Sequence, residues 1–514
     1  MTKGIPTESN KRIAKNTFFL YFRMLLTMGV SLYTVRVILK TVGVVDYGIY
    51  NVVGGIVVMF SFLSSTMSSA SQRFFAFELG QGNREQLKRT FSMTMTIYIL
   101  IAAAILLLAE TVGLWFLNTQ LTIPAERMEA ARWVYQFSIL AFMMTMFTVP
   151  YNAAIIAHEN MRVYAYVSII DVILKLVIVY LLVLFSFDKL QLYAVLTFSV
   201  TTLVTLIYRT YCIRKFEECR YSFYWEKPLF RKILSYSGWN LLGALSSVGK
   251  NQGINILLNV FFGPTINAAR GIAYQVQSVV LNFGNNFFTA VRPQIIKSYA
   301  AKQHDELMRL VFQSTKFSFY LLLFLSLPLL LQTNFILGLW LDKVPDFTIV
   351  FIQLVIIDTL LELLMNPIVT LVQATGKVKW YQVAVGGVRL LCLPIAFIFL
   401  KLDFGPEAVF YILVVNTILC NVLRVIMAKK LVDFDLKGYF KQVVLIMAVV
   451  SFISFVFPKL VQEYLIGTST IESFIMVFIT VIFSFFSIIV FGLNRDERKF
   501  IAIALASKLK IKLS

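Results

Sequence analysis

Apolar segments of about 20 residues recur along the whole chain, and they constrain its fold more than any other feature of the sequence. A helix of that length crosses about 30 Å of hydrocarbon. In lipid, only helices and closed barrels satisfy every backbone polar group. These segments are continuously apolar rather than alternating, so we predict helices. About 14 spans are predicted, near residues 17–38, 47–70, 91–113, 131–157, 163–185, 190–212, 236–262, 275–296, 312–335, 347–372, 380–400, 405–427, 442–461 and 473–492.

The composition agrees with a lipid environment, because 59% of the 514 residues are hydrophobic and only 14% are charged. Soluble chains are about half apolar and about a quarter charged. The sequence has no Walker A motif and no Gly-x-Ser-x-Gly motif. Its 4 cysteines form no Cys-x-x-Cys pair and its 2 histidines are isolated, so no spacing is typical of a metal site. We therefore predict a protein that is not an enzyme, with no catalytic residue, metal site or cofactor.

Lys and Arg are concentrated in alternate loops, and this asymmetry predicts the orientation in the membrane. If the amino terminus is cytoplasmic, the inside segments carry about four times as many Lys and Arg residues as the outside segments. We therefore predict a multi-pass protein with both termini in the cytoplasm. The basic loops explain most of the net charge of +20 as topology signals and contacts to membrane lipids, so no nucleic-acid partner is needed.

An internal repeat is visible in the sequence, because residues 41–91 resemble residues 260–312 at a main offset of about 220 residues. Six predicted spans separate equivalent points, which makes the repeats parallel. We predict an all-α polytopic membrane protein of two six-helix lobes and two further helices. The predicted parts are 1–215 (N-lobe), 216–235 (cytoplasmic interfacial linker), 236–430 (C-lobe) and 431–514 (two extra spans and a basic cytoplasmic tail).

Polar residues form stripes at helical spacing on the first, second, seventh and eighth predicted spans. On the eighth, residues 275, 278, 282, 285 and 289 are three or four apart, which places them on one helix face. Hydrogen bonding between helices is one explanation, at about 0.6 kcal/mol for each bond, and it stays open for the serines of the second span. Unpaired amides cost several kcal/mol in lipid. The amide-rich faces therefore favour a hydrated cavity between the two lobes.

Charged residues within the predicted spans are mostly basic. The basic ones are Arg23, Arg36, Lys175, Lys250, Arg292, Arg389 and Arg424, and the acidic ones are Asp171, Asp358 and Glu362. Arg36, Arg292 and Arg424 lie near span ends, where long side chains can anchor at the membrane interface. Arg23 and Lys250 lack such an explanation. The cationic excess favours an anionic substrate group such as a phosphate.

Two acidic residues of the tenth span, Asp358 and Glu362, are four residues apart. They are candidates for carrying a proton or a cation, and pairing with a basic neighbour is an equally good explanation. Asp171 and Lys175 have the same spacing, which allows them to pair with each other.

Four segments resemble bacterial polysaccharide transporters of the multidrug/oligosaccharidyl-lipid/polysaccharide (MOP) exporter superfamily, the Wzx-type O-antigen flippases. They are DYGIYNVVGGIV (46–57), QRFFAFELGQGN (72–83), GPTINAARGIAYQVQ (263–277) and NFGNNFFTAVRPQIIKSYA (282–300). The resemblance implies a two-lobed, MATE-like bundle of the bacterial inner membrane, with an alternating-access cavity lined by the first, second, seventh and eighth spans. Such proteins move an undecaprenyl-pyrophosphate-linked oligosaccharide from the cytoplasmic to the periplasmic leaflet, for O-antigen, capsule or exopolysaccharide assembly.

The resemblance also implies site residues and partners. The family's cationic cavity residues correspond here to Arg23, Lys250, Arg36, Arg270 and Arg292. Amides on the polar faces are expected to bind sugar hydroxyls: Gln275, Asn251, Asn255, Asn282 and Asn285. A proton or sodium gradient is a possible energy source, with Asp171, Lys175, Asp358 and Glu362 as coupling candidates. A polysaccharide polymerase and glycosyltransferases are possible partners beside the lipid-linked substrate.

Two other functions stay open at this point. A cation-coupled multidrug exporter of the same superfamily usually needs acidic groups for a cationic cargo, and the first span has none. A membrane polysaccharide polymerase needs a large periplasmic loop with catalytic residues, and no predicted outside loop is long.

Overall fold

The structure, a computed structural model, describes residues 8–42, 46, 49–50, 53, 61–119, 123–340, 344–465, 470–495 and 497–498. These residues form helices, and no strand occurs among them. The chain divides into two compact units. The N-unit comprises Ala14–Leu241, and the C-unit comprises Leu242–Ser514 together with Met1–Ile13.

Six long helices of the described residues lie wholly or mostly in the N-unit. They are α1 (Glu8–Val42), α2 (Ser61–Gln81), α3 (Arg84–Thr119), α4 (Met128–Ala157), α5 (Met161–Leu184) and α6 (Lys189–Lys215). Helix α4 is central, because it packs against α2 and α6, while α5 packs against α6. Large aromatic side chains such as Phe74, Phe91 and Tyr98 are fully buried in this unit.

Eight further long helices follow in the described residues. They are α7 (Lys227–Phe262), α8 (Pro264–Ala300), α9 (His304–Leu331), α10 (Thr348–Ala374), α11 (Lys379–Lys401), α12 (Glu407–Val432), α13 (Leu436–Glu463) and α14 (Thr470–Gly492). In the C-unit, α10 packs against α8 and α12, α11 packs against α12, and both α13 and α14 pack against α9. Helix α10 is interrupted at Met365, just before Pro367, since proline cannot continue a helical hydrogen-bond ladder.

Ten helices of the described part are long and apolar enough to cross a membrane: α3, α4, α5, α6 and α9 to α14. The protein is therefore an all-α, multi-pass membrane protein. The other four long helices, α1, α2, α7 and α8, correspond to the four spans whose sequences carry polar stripes. Most of the predicted second span, 47–60, lies outside the described residues.

The start of α8 differs from the sequence prediction, which began this span at residue 275. The helix begins at Pro264, after Gly263 at a φ of 77°, and proline is favoured in the first turn because its amide needs no partner there. Arg270, predicted to lie in an outside loop, is therefore within the helix. Similarly, α7 begins at Lys227, inside the predicted linker.

The turn before α9 has the same form as the turn before α3. Arg84 begins α3 and His304 begins α9, positions that differ by about 220 residues, the offset of the predicted parallel repeat. Gly82 and Lys302, two residues before each start, both have positive φ angles, of 72° and 57°. The repeat in sequence is thus accompanied by a repeat in local geometry.

Candidate functional site

Five charged side chains from four helices of the C-unit form a cluster, which we call the charge cluster. It comprises Lys250 on α7, Asp358 and Glu362 on α10, Arg389 on α11 and Arg424 on α12. Nη2 of Arg389 lies 3.1 Å from Oε1 of Glu362, and Nη2 of Arg424 lies 3.9 Å from the same oxygen. Three cations thus surround two carboxylates, which leaves a formal excess of positive charge.

Lys250 is the least compensated member of the charge cluster. Its exposed fraction is 6%, and within the described chain no hydrogen bond or salt bridge to its ammonium is found. The ammonium interacts electrostatically with both Asp358 and Glu362. Burying a charge without a close partner is costly. An ammonium in this state is therefore well suited to receive an additional anion.

The two carboxylates differ in their surroundings. Asp358 is 8% exposed, and its Oδ1 atom is buried without a hydrogen-bond partner in the described residues. Glu362 is partly exposed and accepts a hydrogen bond from the guanidinium of Arg389. Of the two explanations that the sequence leaves open for this acidic pair, Glu362 has the basic neighbour, and Asp358 keeps an oxygen without a hydrogen-bond partner among the described residues.

A second group joins α7 to the first turns of α8. The guanidinium of Arg270 donates through Nη1 to Oδ1 of Asn255 at 3.1 Å and through Nη2 to the carbonyl oxygen of Asn251 at 2.9 Å. It also lies over the ring of Tyr274, 4.1 Å from its centroid, a favourable cation–π geometry. Asn267 donates to both the carbonyl oxygen and Oδ1 of Asn255, at 3.0 and 2.9 Å. These contacts fix the orientation of Arg270.

The polar stripe of α8 lies on one accessible face. Gln275, Ser278, Asn282 and Asn285 are all exposed, at the spacing that the sequence indicates. The backbone carbonyl oxygens of Gln275, Asn282 and Asn285 accept hydrogen bonds from side chains three or four residues further along α8, while their own side chains are exposed. Hydrocarbon does not satisfy such amides, so contact of this face of α8 with water, which the sequence indicates, stays a prediction.

The remaining substrate-binding candidates have separate surroundings. Arg292 donates through Nη2 to Oε1 of Gln373 on α10 at 2.5 Å. In the N-unit, the guanidinium of Arg23 lies over the ring of Tyr164, 4.8 Å from its centroid. The side chain of Arg36 lies outside the described residues.

The coupling candidates on α5 pair with each other. Nζ of Lys175 donates to Oδ2 of Asp171 at 2.8 Å, and both side chains are partly exposed. This is the i, i+4 pair that the spacing predicts. No group of His, Cys, Asp and Glu side chains suited to a metal ion occurs among the described residues.

Several charged contacts were not anticipated from the sequence. Lys316 and Arg73 are both buried, in α9 and α2 respectively. Arg127 bridges Asp46 and Asp188. The partners are 81 and 61 residues away in sequence, so no local pattern could have identified them.

Comparisons with known proteins agree with this architecture. A family model described as polysaccharide biosynthesis protein matches residues 13–299. No curated protein sequence matches the chain. Three similar solved structures, each aligned over 84% of this chain and 98% of its own, have the same fold.

The first is an outward-facing multidrug resistance MATE family transporter of the MOP superfamily, with 12% identity and a TM-score of 0.70. The second is a MOP superfamily transporter from Pyrococcus furiosus, with 13% identity and a TM-score of 0.68, in which a reverse polarity of the binding pocket suggests a different function. The third is a MATE transporter of Vibrio cholerae, with 17% identity and a TM-score of 0.63. At identities this low, the similarity to these structures establishes the fold of the chain and does not extend to function.

Proposed function

Because the chain belongs to the polysaccharide biosynthesis protein family, whose model covers more than half of it, we propose that it is a flippase for a lipid-linked oligosaccharide. The family and the MATE-type fold together support a membrane transporter that acts in polysaccharide biosynthesis. Within that class, the proposed cargo is an undecaprenyl-pyrophosphate-linked oligosaccharide. It moves from the cytoplasmic to the periplasmic leaflet by alternating access.

The buried side chain of Lys250, whose ammonium interacts with Asp358 and Glu362 without a salt bridge among the described residues, is the observation that carries this proposal. A cationic drug would be repelled by a cluster in which three basic side chains face two acidic ones. A pyrophosphate provides the anionic oxygens that lysine and arginine bind in charge-assisted hydrogen bonds. In the proposed complex, Lys250 provides the close contact to the pyrophosphate, and Arg389 and Arg424 keep Glu362 neutralised.

The exposed amides of α8 support a sugar as the second part of the cargo. Asn282, Asn285 and Gln275 present both donors and acceptors, which match the hydroxyl groups of an oligosaccharide. The oriented guanidinium of Arg270, with Asn251 and Asn255, provides a further polar group near the start of the same helix. Arg23, Arg292 and Arg36 remain candidates with a smaller part in the proposal.

Asp358 is the proposed coupling residue. Its unused buried Oδ1 atom and its electrostatic interaction with Lys250 would allow a proton or sodium ion to compensate the carboxylate when Lys250 engages the cargo. Asp171 and Lys175 are satisfied by their mutual contact, which weakens their candidacy. The proposed location is the bacterial inner membrane, with both termini cytoplasmic and with a polymerase and glycosyltransferases as partners.

The experiment that tests this function replaces Lys250. In a strain lacking the chromosomal gene, Lys250→Ala should reduce surface polysaccharide and cause lipid-linked units to accumulate on the cytoplasmic side, at unchanged protein level. One charge-assisted hydrogen bond contributes about 1.5–3 kcal/mol, so the transport rate should fall roughly 10- to 100-fold. Lys250→Arg, which keeps a cation, should retain more transport.

The matched control is Lys401→Ala at the end of α11, where an exposed lysine lies over the ring of Phe397. It should transport normally. Equal transport by wild type and Lys250→Ala would remove the site assignment. Drug sensitivity with normal polysaccharide in the deletion strain would indicate the multidrug exporter. Single surface units without chains would indicate the polymerase.

A further inference from the structure

The N-unit contains a cleft of about 610 Å³ at one end of its helices. Three parts of the chain line it: the end of α2 with the first turn of α3, the residue after α4, and the last residue of α6 with the segment that follows it. We call it the loop cleft; its lining residues are Leu79, Arg84, Glu85, Leu87, Lys88, His158, Lys215, Phe216, Glu217 and Glu218. Its volume is in the range of about 300–1,000 Å³ that is typical of small-ligand pockets.

The loop cleft is lined by three basic side chains, Arg84, Lys88 and Lys215, and by three acidic ones, Glu85, Glu217 and Glu218. A positive excess arises because Arg89, beside the lining, compensates Glu85. Arg84, Lys88 and Lys215 are exposed, and none of them forms a salt bridge in the part of the chain that the structure describes. The acidic side chains are mostly occupied, because Glu85 pairs with Arg89 and Glu218 pairs with His158. Glu217 is the remaining exposed carboxylate of the lining.

The pair of Glu218 and His158 is rigidly held. The ring of His158 is stacked on the ring of Phe216, with centroids 4.0 Å apart and planes 8° from parallel. Burial alone would raise the pKa of Glu218, but the hydrogen bond from His158, a backbone hydrogen bond, and the charges of His158 and Arg84 together outweigh burial and hold this pKa below its usual value. Glu218 is therefore ionised and paired with His158, and it also offsets part of the charge of Arg84.

The position of the loop cleft indicates where its ligand comes from. Arg84, His158 and Lys215 lie at the ends of α3, α4 and α6, helices that are long and apolar enough to cross a membrane. The segment that continues from the cleft exposes Tyr221 and Trp225, and aromatic residues concentrate at membrane–water interfaces. Phosphate groups of lipid headgroups lie at the same level.

We propose that the loop cleft binds a phosphate-bearing anion, which its position at the helix ends identifies as the headgroup of an anionic lipid. Arg84, Lys88 and Lys215 hold the phosphate, and the apolar floor of Leu79 and Leu87 accepts the first carbons of the lipid. In the predicted topology this leaflet is the cytoplasmic one. The site is separate from the charge cluster and does not depend on the proposed cargo.

The test uses the full-length protein in nanodiscs of phosphatidylcholine mixed with phosphatidylglycerol, with retained lipids identified by native mass spectrometry. Wild type should retain phosphatidylglycerol in preference to phosphatidylcholine. The triple variant Arg84→Gln/Lys88→Gln/Lys215→Gln should lose this preference. A juxtamembrane basic residue contributes roughly a fivefold factor in anionic lipid binding, so affinity should fall on the order of a hundredfold.

The matched control removes the same number of charges from exposed positions outside the cleft, in Arg220→Gln/Lys227→Gln/Arg231→Gln. It should weaken anionic lipid binding clearly less than the cleft variant, because these side chains contribute only to the general surface charge and do not converge on one phosphate. The variant Glu217→Gln makes the opposite prediction, because removal of the free carboxylate should strengthen binding roughly fivefold. This outcome cannot arise from unfolding.

A second arm separates the two sources of phosphate. Inorganic phosphate is titrated into lipid-depleted protein in neutral detergent and followed by phosphorus NMR. In one outcome, wild type shows saturable phosphate binding that the triple variant of Arg84, Lys88 and Lys215 loses, while neither protein retains phosphatidylglycerol selectively. That result would keep the site and assign it to a soluble phosphate. If the triple variant of the loop cleft and the triple control variant bind lipid and phosphate identically, the proposal is overturned. This holds whatever the outcome of the Lys250 experiment.

Discussion

Replacement of Lys316 by methionine should weaken the attachment of the carboxyl-terminal segment to α9. Nζ of Lys316 lies 2.9 Å from both carboxylate oxygens of Glu497, and the two side chains are only 7% and 4% exposed. Tyr320, one turn further along α9, donates to the carbonyl oxygen of Gly492 at 3.0 Å. These contacts hold the residues that follow α14 against the C-unit.

The size of the effect follows from what the substitution leaves behind. In Lys316→Met, Glu497 stays buried with the amide of Asn494 as a remaining donor, at 2.9 Å. Removal of one partner from a buried ion pair typically costs about 3–5 kcal/mol. If the segment opens locally, its open population should therefore rise on the order of a hundredfold or more. Burial of the methionine side chain offsets a small part of this cost.

Limited tryptic digestion after Arg498 measures this opening, because cleavage tracks the open population when opening is fast relative to cleavage. Lys316→Met should be cut much faster than wild type, and the exposed control Lys441→Met should not. The double variant Lys316→Met/Glu497→Gln should recover much of the protection, since no buried charge remains. Equal cleavage of Lys316→Met and Lys441→Met, or additive effects in the double variant, would refute the buried pair.

Two further predictions concern ion pairs of the N-unit. Arg127→Gln removes the bridge between Asp46 and Asp188. Because these side chains are partly exposed, the free energy of unfolding should fall by about 2 kcal/mol. An unchanged free energy of unfolding would contradict the bridge. Because His158 holds the pKa of Glu218 below 4.5, the folded protein binds fewer protons than the unfolded chain near this value. Its stability should fall as the pH drops below about 4.5, and Glu218→Gln should flatten that part of the pH profile.

Local periodicity was sufficient to predict the accessible face of α8. The spacing of Gln275, Asn282 and Asn285 is a property of a single helix, and the structure places these side chains on one exposed face. The same periodicity gave the helical character of the spans, because hydrophobic runs long enough for a bilayer have few alternatives. Helix ends were less accurate. Pro264 begins α8 well before the apolar part of that segment.

Partners that are distant in sequence could not be predicted. Lys316 and Glu497 are 181 residues apart. Arg292 and Gln373 are 81 residues apart. A charge near a predicted helix end can lie in a loop or inside a packed bundle. The sequence does not distinguish these two positions, because its periodicity describes the faces of one helix and not which other helices pack against them.

Helix α7 shows why a polar stripe must be divided before a function is assigned to it. Lys250 and Asn255 are five residues apart, so their side chains leave the helix about 140° apart. Lys250 interacts with the carboxylates of α10, while Oδ1 of Asn255 accepts a hydrogen bond from Arg270 on α8. One stripe therefore contributes to two different sets of contacts. The substrate's anionic group and its sugars need not be bound by neighbouring residues of the sequence, and the charge of Lys250 is the part of α7 whose removal most directly tests the anion.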